Sequence, residues 1–324
     1  MLELAITTAT LIISVAVLLK SSEKVMNSSV KLSTFFNISQ LAVGFILVAL
    51  ATSLPELAVS ILSSTSGEGA IAAGNIFGSN ISNILLIIGA GAFIHGIRIS
   101  PQNMKETGIL LLLTTIVSAY IVFSSFTQQS ALGVAEGMIL LGIFGVYVFH
   151  TMRGKQREGK KPVNQITKKQ ALNSFLLFSA GIIVVIVSSG FVVDSAVRLA
   201  ELAGLAQSFI GATIIAVGTS LPELSIFLQS IARQRYALAL GNIIGSNVVN
   251  LTLILGSAAV INPIEVHLPV FAAALLFAVV ANMALLYSAA VNKGMKRLGG
   301  AIFLLAYVLY IVVIFALQVK ELGM

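Results

Sequence analysis

Apolar runs of membrane-spanning length, separated by short polar breaks, dominate this chain. A helix that crosses a bilayer needs about 20 predominantly apolar residues. Ten stretches qualify, near 3–20, 40–63, 70–94, 107–126, 131–150, 171–193, 206–231, 236–261, 267–291 and 298–319. The pattern predicts an all-α polytopic membrane protein with ten transmembrane helices.

The pattern is also duplicated. Ala51-Thr52-Ser53-Leu54-Pro55-Glu56 returns as Gly218-Thr219-Ser220-Leu221-Pro222-Glu223. Gly74-Asn75-Ile76-Phe77-Gly78-Ser79-Asn80 returns as Gly241-Asn242-Ile243-Ile244-Gly245-Ser246-Asn247, at the same offset of 167 residues. From Gly44 against Gly211, 8 of 17 positions are identical, and from Gly74 against Gly241, 10 of 16, so the repeat extends beyond its short motifs. Five predicted helices fall in each copy, and an odd number inverts the second copy relative to the first. The expected organisation is a first five-helix repeat over 1–152, a basic linker over 153–169 and a second, inverted repeat over 170–324.

Charge orients this arrangement. The segment Arg153 to Lys169 holds seven basic residues and one acid. With that linker cytoplasmic and both termini outside, 17 of the 19 Lys and Arg fall inside, leaving Arg198 and Lys320 outside. This is the asymmetry the positive-inside rule requires. The net charge of +7 thus reports orientation and attraction to anionic lipid, not nucleic acid. With 57% hydrophobic residues, 10% charged residues and a mean hydropathy of +1.02, no ordinary soluble domain is expected. The first apolar run lacks a basic leader and reads as a retained helix. There is no cysteine, which excludes disulfides and thiolate metal sites.

Of the twelve acids, Glu56 and Glu223 are the two expected near the membrane midplane. An ionisable group there costs about 2.5–3.5 kcal/mol on insertion scales, so both are functional candidates. Pro55 and Pro222 break the helical ladder and free carbonyl oxygens beside them. Thr52 and Ser53, four and three residues before Glu56, are expected on the same helical face as the carboxylate. Thr219, Ser220 and Glu223 repeat this. Asn75, Ser79 and Asn83 form a stripe at spacing four, as do Asn242, Ser246 and Asn250. Ser79, Asn83, Ser246 and Asn250 are favoured as ligands. Hydrogen bonding between helices is an alternative role for Asn75, Asn80, Asn242 and Asn247. Gly74, Gly78, Gly241 and Gly245 provide small surfaces for close helix approach.

This inventory is one of hard oxygens. It suits Ca²⁺, which takes six to eight oxygen ligands, and Na⁺ by the same argument. His95, His150 and His267 sit near segment ends as interfacial residues. Two carboxylates balance one Ca²⁺, two Na⁺ or two protons, which is the logic of an exchanger built on inverted repeats. A channel needs a continuous pore, and one chain with two inverted halves offers no ring of subunits. The chain lacks a metal-hydrolase His pair, a Cys nucleophile and a phosphate loop, so no enzyme is expected.

At these residues the chain resembles the cation/Ca²⁺ exchanger superfamily, and most closely its prokaryotic Na⁺/Ca²⁺ exchanger branch. The resemblance runs over nearly the whole chain and rests on both motifs appearing twice in order. It implies that helices 2, 3, 7 and 8 form a midplane ion site and that helices 1 and 6 slide as a gate. It implies Ca²⁺ ligation by Glu56 and Glu223 with the carbonyls of Thr52 and Thr219. Na⁺ sites would use the carbonyls of Ala49 and Ala216, with Ser53, Ser79, Ser220 and Ser246, while Asn83 and Asn250 fill the remaining ligand positions. Several exchangers of this branch carry Asp where this chain has Asn250, and Ala51 stands where Gly is usual. The implied function is Ca²⁺/Na⁺ antiport in a prokaryotic cell membrane, with no cofactor and no obligatory protein partner. Proton or K⁺ coupling at the same site is the alternative.

Overall fold

The computed structural model describes residues 2–67, 69–99, 107–109, 111–117, 119–120, 131–153, 166–202, 218–265 and 268–321. Its helices are α1 (Leu2–Phe36), α2 (Gln40–Thr52), α3 (Leu54–Thr65), α4 (Ile71–His95), α5 (Thr107–Val117) and α6 (Val134–Arg153). The second half supplies α7 (Lys168–Leu202), α8 (Leu221–Ala232), α9 (Tyr236–Ile261), α10 (Leu268–Asn292) and α11 (Arg297–Glu321). Among the described residues, six of these, α1, α4, α6, α7, α9 and α11, are long and apolar enough to cross a membrane, and α2 with α3 forms one bent pair. The expected segments at 107–126 and 206–231 extend beyond the described residues, as do His267 and most of the basic linker.

Two segments are longer than expected. In place of spans at 3–20 and 171–193, α1 and α7 each run 35 residues and pack along one another. Serines carry α1 past its apolar run. Ser21, Ser22 and Ser29 are buried and return their hydroxyls to carbonyls four residues back, at 2.7–2.8 Å. Hydroxyls satisfied in this way can be buried without leaving the helix. Lys24 and Lys31 lie on the exposed face.

Polarity inside and apolarity outside organise the packing. The apolar windows of α4 and α9 are 78% and 83% buried, whereas those of α1, α6 and α11 are each 22% buried. The two helices that carry the Gly-Asn blocks are therefore central, and the others present Leu, Ile and Val outward. Buried with the centre are Thr52, Ser53, Glu56, Ser79, Asn83, Glu223, Ser246 and Asn250. Two short antiparallel ladders tie the halves at their ends: β1 (Ile97–Arg98) pairs with β4 (Gly294–Met295), and β2 (Ala131–Leu132) with β3 (Ile264–Glu265).

Glycine permits the closest approach. A Cβ on Gly241 would lie 2.4 Å from the Leu41 carbonyl oxygen, and one on Gly245 would lie 2.7 Å from the Phe45 Cα. The expected role of this pair is thus met against α2. The counterparts of Leu41 and Phe45 facing Gly74 and Gly78 would be residues 208 and 212, outside the described set.

Candidate ion site

The site begins with two broken helices. The axes of α2 and α3 diverge by 48° at Ser53, whose φ of −83° and ψ of 11° leave the helical region. Ser220 has nearly the same backbone, φ −90° and ψ 9°, ahead of α8. Each proline withholds an amide hydrogen. The ladder resumes with Leu57 N–H donating to Ser53 O at 3.0 Å, and Leu224 N–H to Ser220 O at 3.0 Å. Glu56 and Glu223 consequently stand in the first turns of α3 and α8, where the helix dipole favours a carboxylate.

Both glutamates are buried, with 1% exposure each. Ser79 Oγ lies 3.5 Å from Glu56 Oε1, and Ser53 Oγ donates to Glu223 Oε1 at 3.3 Å. The second contact corrects an expectation. Ser53 does not share a helical face with Glu56, because the helix is broken between them and the hydroxyl crosses to the other half. Thr52 also crosses over: its Oγ1 is 3.2 Å from Asn242 Oδ1 and 3.5 Å from Ser246 Oγ. The Ala49 carbonyl accepts from Ser53 N at 3.0 Å and from Thr52 Oγ1 at 3.3 Å. Ser220 is buried beside Glu223, Thr219 is half-buried on the turn, and Ala216 lies outside the described residues.

The asparagines form a reciprocal set across the two halves. Asn80 Nδ2 donates to Asn247 O at 3.4 Å, and Asn247 Nδ2 to Asn80 O at 3.3 Å. Asn83 Nδ2 donates to Asn247 Oδ1 at 2.9 Å, and Asn250 Nδ2 to Asn80 Oδ1 at 3.0 Å. Asn75 and Asn242 each donate to the backbone carbonyl of their own half's glutamate at 3.3 Å. The amide nitrogens of Asn83 and Asn250 are thus held, which fixes where their oxygens point. Asn83 lies in a π-helical turn, Ser82–Ile88, and Asn250 opens another, Asn250–Ile254. Such turns recur at functional sites because the wider turn re-aims side chains.

What remains is a set of acceptors. Among the described residues, Glu56 Oε2, Glu223 Oε2, Asn83 Oδ1 and Asn250 Oδ1 are buried without a hydrogen-bond partner, as is Ser220 Oγ. A buried acceptor left unpaired costs about 1–3 kcal/mol, and more when charged. A hard cation is the kind of ligand that such oxygens satisfy. Neither ion pair between described residues, Arg198–Glu3 and Arg233–Glu23, involves these glutamates. Nor do the described residues group three or more His, Asp or Glu side chains, so the donor chemistry is two carboxylates with amide and hydroxyl oxygens. Elsewhere, Glu136 accepts from Gly133 N–H at 2.9 Å at the start of α6, a helix-capping role.

Sequence comparison bears on the same residues. The pattern of the sodium/calcium exchanger protein family matches residues 6–153 and 173–316, both repeats included. This chain belongs to that family. It is therefore a membrane protein of an exchanger family, one of transporters and not of enzymes. Among its relatives is a putative antiporter, CaxA, of Alkalimonas amylolytica, 34% identical over 80% of this chain and 82% of that one. The sodium/calcium exchanger MaX1 of Methanosarcina acetivorans is 27% identical over 94% and 97%. The fold agrees: the sodium-calcium exchanger NCX_Mj, soaked with Na⁺ and without Ca²⁺, superposes with a TM-score of 0.81 at 25% identity, covering 95% of this exchanger and 99% of the other.

Proposed function

We propose that this chain is a secondary antiporter exchanging Ca²⁺ for Na⁺ at a midplane site made by Glu56 and Glu223, with Thr52, Thr219, Ser53, Ser220, Ser79, Ser246, Asn83, Asn250 and the carbonyls of Ala49 and Ala216 around them. The observation that carries this reading is that Glu56 and Glu223, buried and paired with no basic side chain among the described residues, each keep an unpartnered carboxylate oxygen, while Asn83 and Asn250 each keep an unpartnered amide oxygen. The names of the relatives MaX1 and NCX_Mj support Na⁺ and Ca²⁺ as the ions. Protons, a further candidate cargo from the sequence, draw no support from the family match.

The site works by charge balance. Two carboxylates compensate one Ca²⁺ or two Na⁺, so either load leaves the protein near neutral. A third Na⁺ would add an uncompensated positive charge in a low-dielectric interior, which is costly. With Asn250 in place of a third acid, exchange of two Na⁺ for one Ca²⁺ is the favoured count. Movement follows the repeat: ten helices as two inverted halves, 1–152 and 170–324, a cytoplasmic linker at 153–169, both termini outside a prokaryotic cell membrane, and alternating access as α1 and α7 slide against the core. The deciding experiment is ⁴⁵Ca²⁺ uptake by the purified chain in liposomes under a Na⁺ gradient, a pH gradient or neither. Uptake driven by Na⁺ alone is expected; uptake driven by protons alone would overturn the Na⁺ assignment.

A further inference from the structure

Behind the paired asparagines lies a small cavity that the ion site does not use. It is lined by Phe77, Asn80, Ile84, Thr114, Asn247, Leu251, Ala278 and Asn282, and admits a water-sized sphere. A polar cavity of that size can hold an ordered water. Its polar wall comes from four helices: Asn80 on α4, Thr114 on α5, Asn247 on α9 and Asn282 on α10.

Asn282 is 4% exposed. Its Nδ2 donates to Thr114 Oγ1 at 3.2 Å and to Thr115 Oγ1 at 3.3 Å, which uses both amide hydrogens. Its Oδ1 is buried without a partner among the described residues. Asn80 and Asn247 face the same cavity with the opposite shortage. Each Nδ2 carries two hydrogens, and one of them reaches the other's backbone carbonyl. The cavity therefore brings together one unsatisfied acceptor and two spare amide hydrogens.

We propose that a single buried water occupies this cavity, donating to Asn282 Oδ1 and accepting from the second amide hydrogen of Asn80 or Asn247, and that Asn282 thereby acts as a positioning residue for the ion site. The mixed donor and acceptor lining selects water over a cation, since spare amide hydrogens on the wall repel positive charge. The chain of contacts then runs from Thr114 and Thr115 to Asn282, through the water to Asn80 and Asn247, and from their Oδ1 atoms to the amides of Asn250 and Asn83. It anchors the two ligand oxygens to α5 and α10, helices that supply no ligand themselves. Nothing in the family motifs marks position 282, because it lies outside both repeated blocks.

The inference rests on Glu56, Glu223, Asn83 and Asn250 being the ion site, and its test has one arm that does not. A crystal structure of the full chain at about 2 Å or better is expected to show a water within hydrogen-bond distance of Asn282 Oδ1 and of Nδ2 of Asn80 or Asn247. A cavity empty in a map that resolves other buried waters overturns the proposal, whatever the protein transports. In liposomes, Asn282→Leu, which fills the cavity, is expected to raise the KM for Ca²⁺ about tenfold while Vmax stays within about twofold. Asn282→Asp keeps an acceptor oxygen toward the water at the same reach, while its second oxygen accepts from the Thr114 and Thr115 hydroxyls once these turn from the Leu111 carbonyl, and it is expected to stay within about threefold of the parent KM. Parent-like KM in Asn282→Leu, or equal loss of KM and Vmax in both variants, would show that Asn282 does not position the site.

Discussion

Glu56 and Glu223 each leave one carboxylate oxygen without a donor while the other oxygen receives a serine hydroxyl, so each is held in place yet still free to ligate. Glu56→Gln or Glu223→Gln preserves the shape and removes one charge from beneath a divalent ion. Either is expected to lower Ca²⁺ uptake by at least about 100-fold, and parent-level uptake by either would remove both from the site. Asn250 is the finer probe. Its Nδ2 donates to Asn80 Oδ1 at 3.0 Å, and Asp at that position would set oxygen against oxygen unless Asn80 turned over and surrendered its bond to Asn247 O. A cost of about 1–3 kcal/mol is expected, read as a lower melting temperature in detergent without ions. Asn250→Asp also restores a third charge, so uptake should gain a dependence on a K⁺-valinomycin potential that the parent protein lacks. A parent protein already driven by that potential would refute the count of two Na⁺ per Ca²⁺.

At the scale of the helix, the breaks at Ser53 and Ser220 were legible from Pro55 and Pro222, and the central place of α4 and α9 was implied by the family resemblance that their glycine and asparagine blocks carry. Other features were not. A π-helical turn has no composition of its own: after Ser82 and Asn83, the turn Ser82–Ile88 continues as plain apolar sequence that an ordinary α-helix would carry equally well. Likewise the direction of Ser53 could not be read from a spacing of three, because the ideal helix behind that rule ends at Ser53 itself. The α1 extension was hidden by serines that look like a loop until their hydroxyls are returned to the backbone, and the α7 extension by Asp194 and Arg198, charges that end its apolar run. Gly241 tests how strongly close approach positions the site. Its Cα faces the Leu41 carbonyl and the Gly44 Cα, both backbone, so even a methyl group must push α9 away from α2. Gly241→Ala is expected to cost about 1–3 kcal/mol and to weaken Ca²⁺-dependent thermal stabilisation by about tenfold in apparent affinity. An unchanged Ca²⁺ titration would mean that this contact serves folding alone.

Across the whole molecule the halves match residue for residue at the centre, where Asn80, Asn83, Asn247 and Asn250 exchange equivalent bonds, but not where α1 meets α8. There Ser22 Oγ and Ser225 Oγ are hydrogen-bonded at 2.8 Å in a buried contact, and Glu23 pairs with Arg233. The offset of 167 carries these four positions to Ser189, Ala58, Gly190 and Ser66, which can form neither the hydroxyl pair nor the ion pair. If alternating access exchanges the environments of the two halves, the opposite state lacks both links, and the state seen here is favoured by the difference. A buried hydroxyl bond contributes about 1 kcal/mol, while an exposed ion pair adds little, so the bias amounts to about fivefold in population. Removing both links with Ser22→Ala and Arg233→Gln should shift the equilibrium by about that factor toward the opposite state. Because the chain has no cysteine, spin labels on one introduced cysteine in α1 and another in α8 can report the distance between these helices in liposomes without ions. A distance distribution unmoved by the double substitution would show that the α1–α8 links do not bias the state.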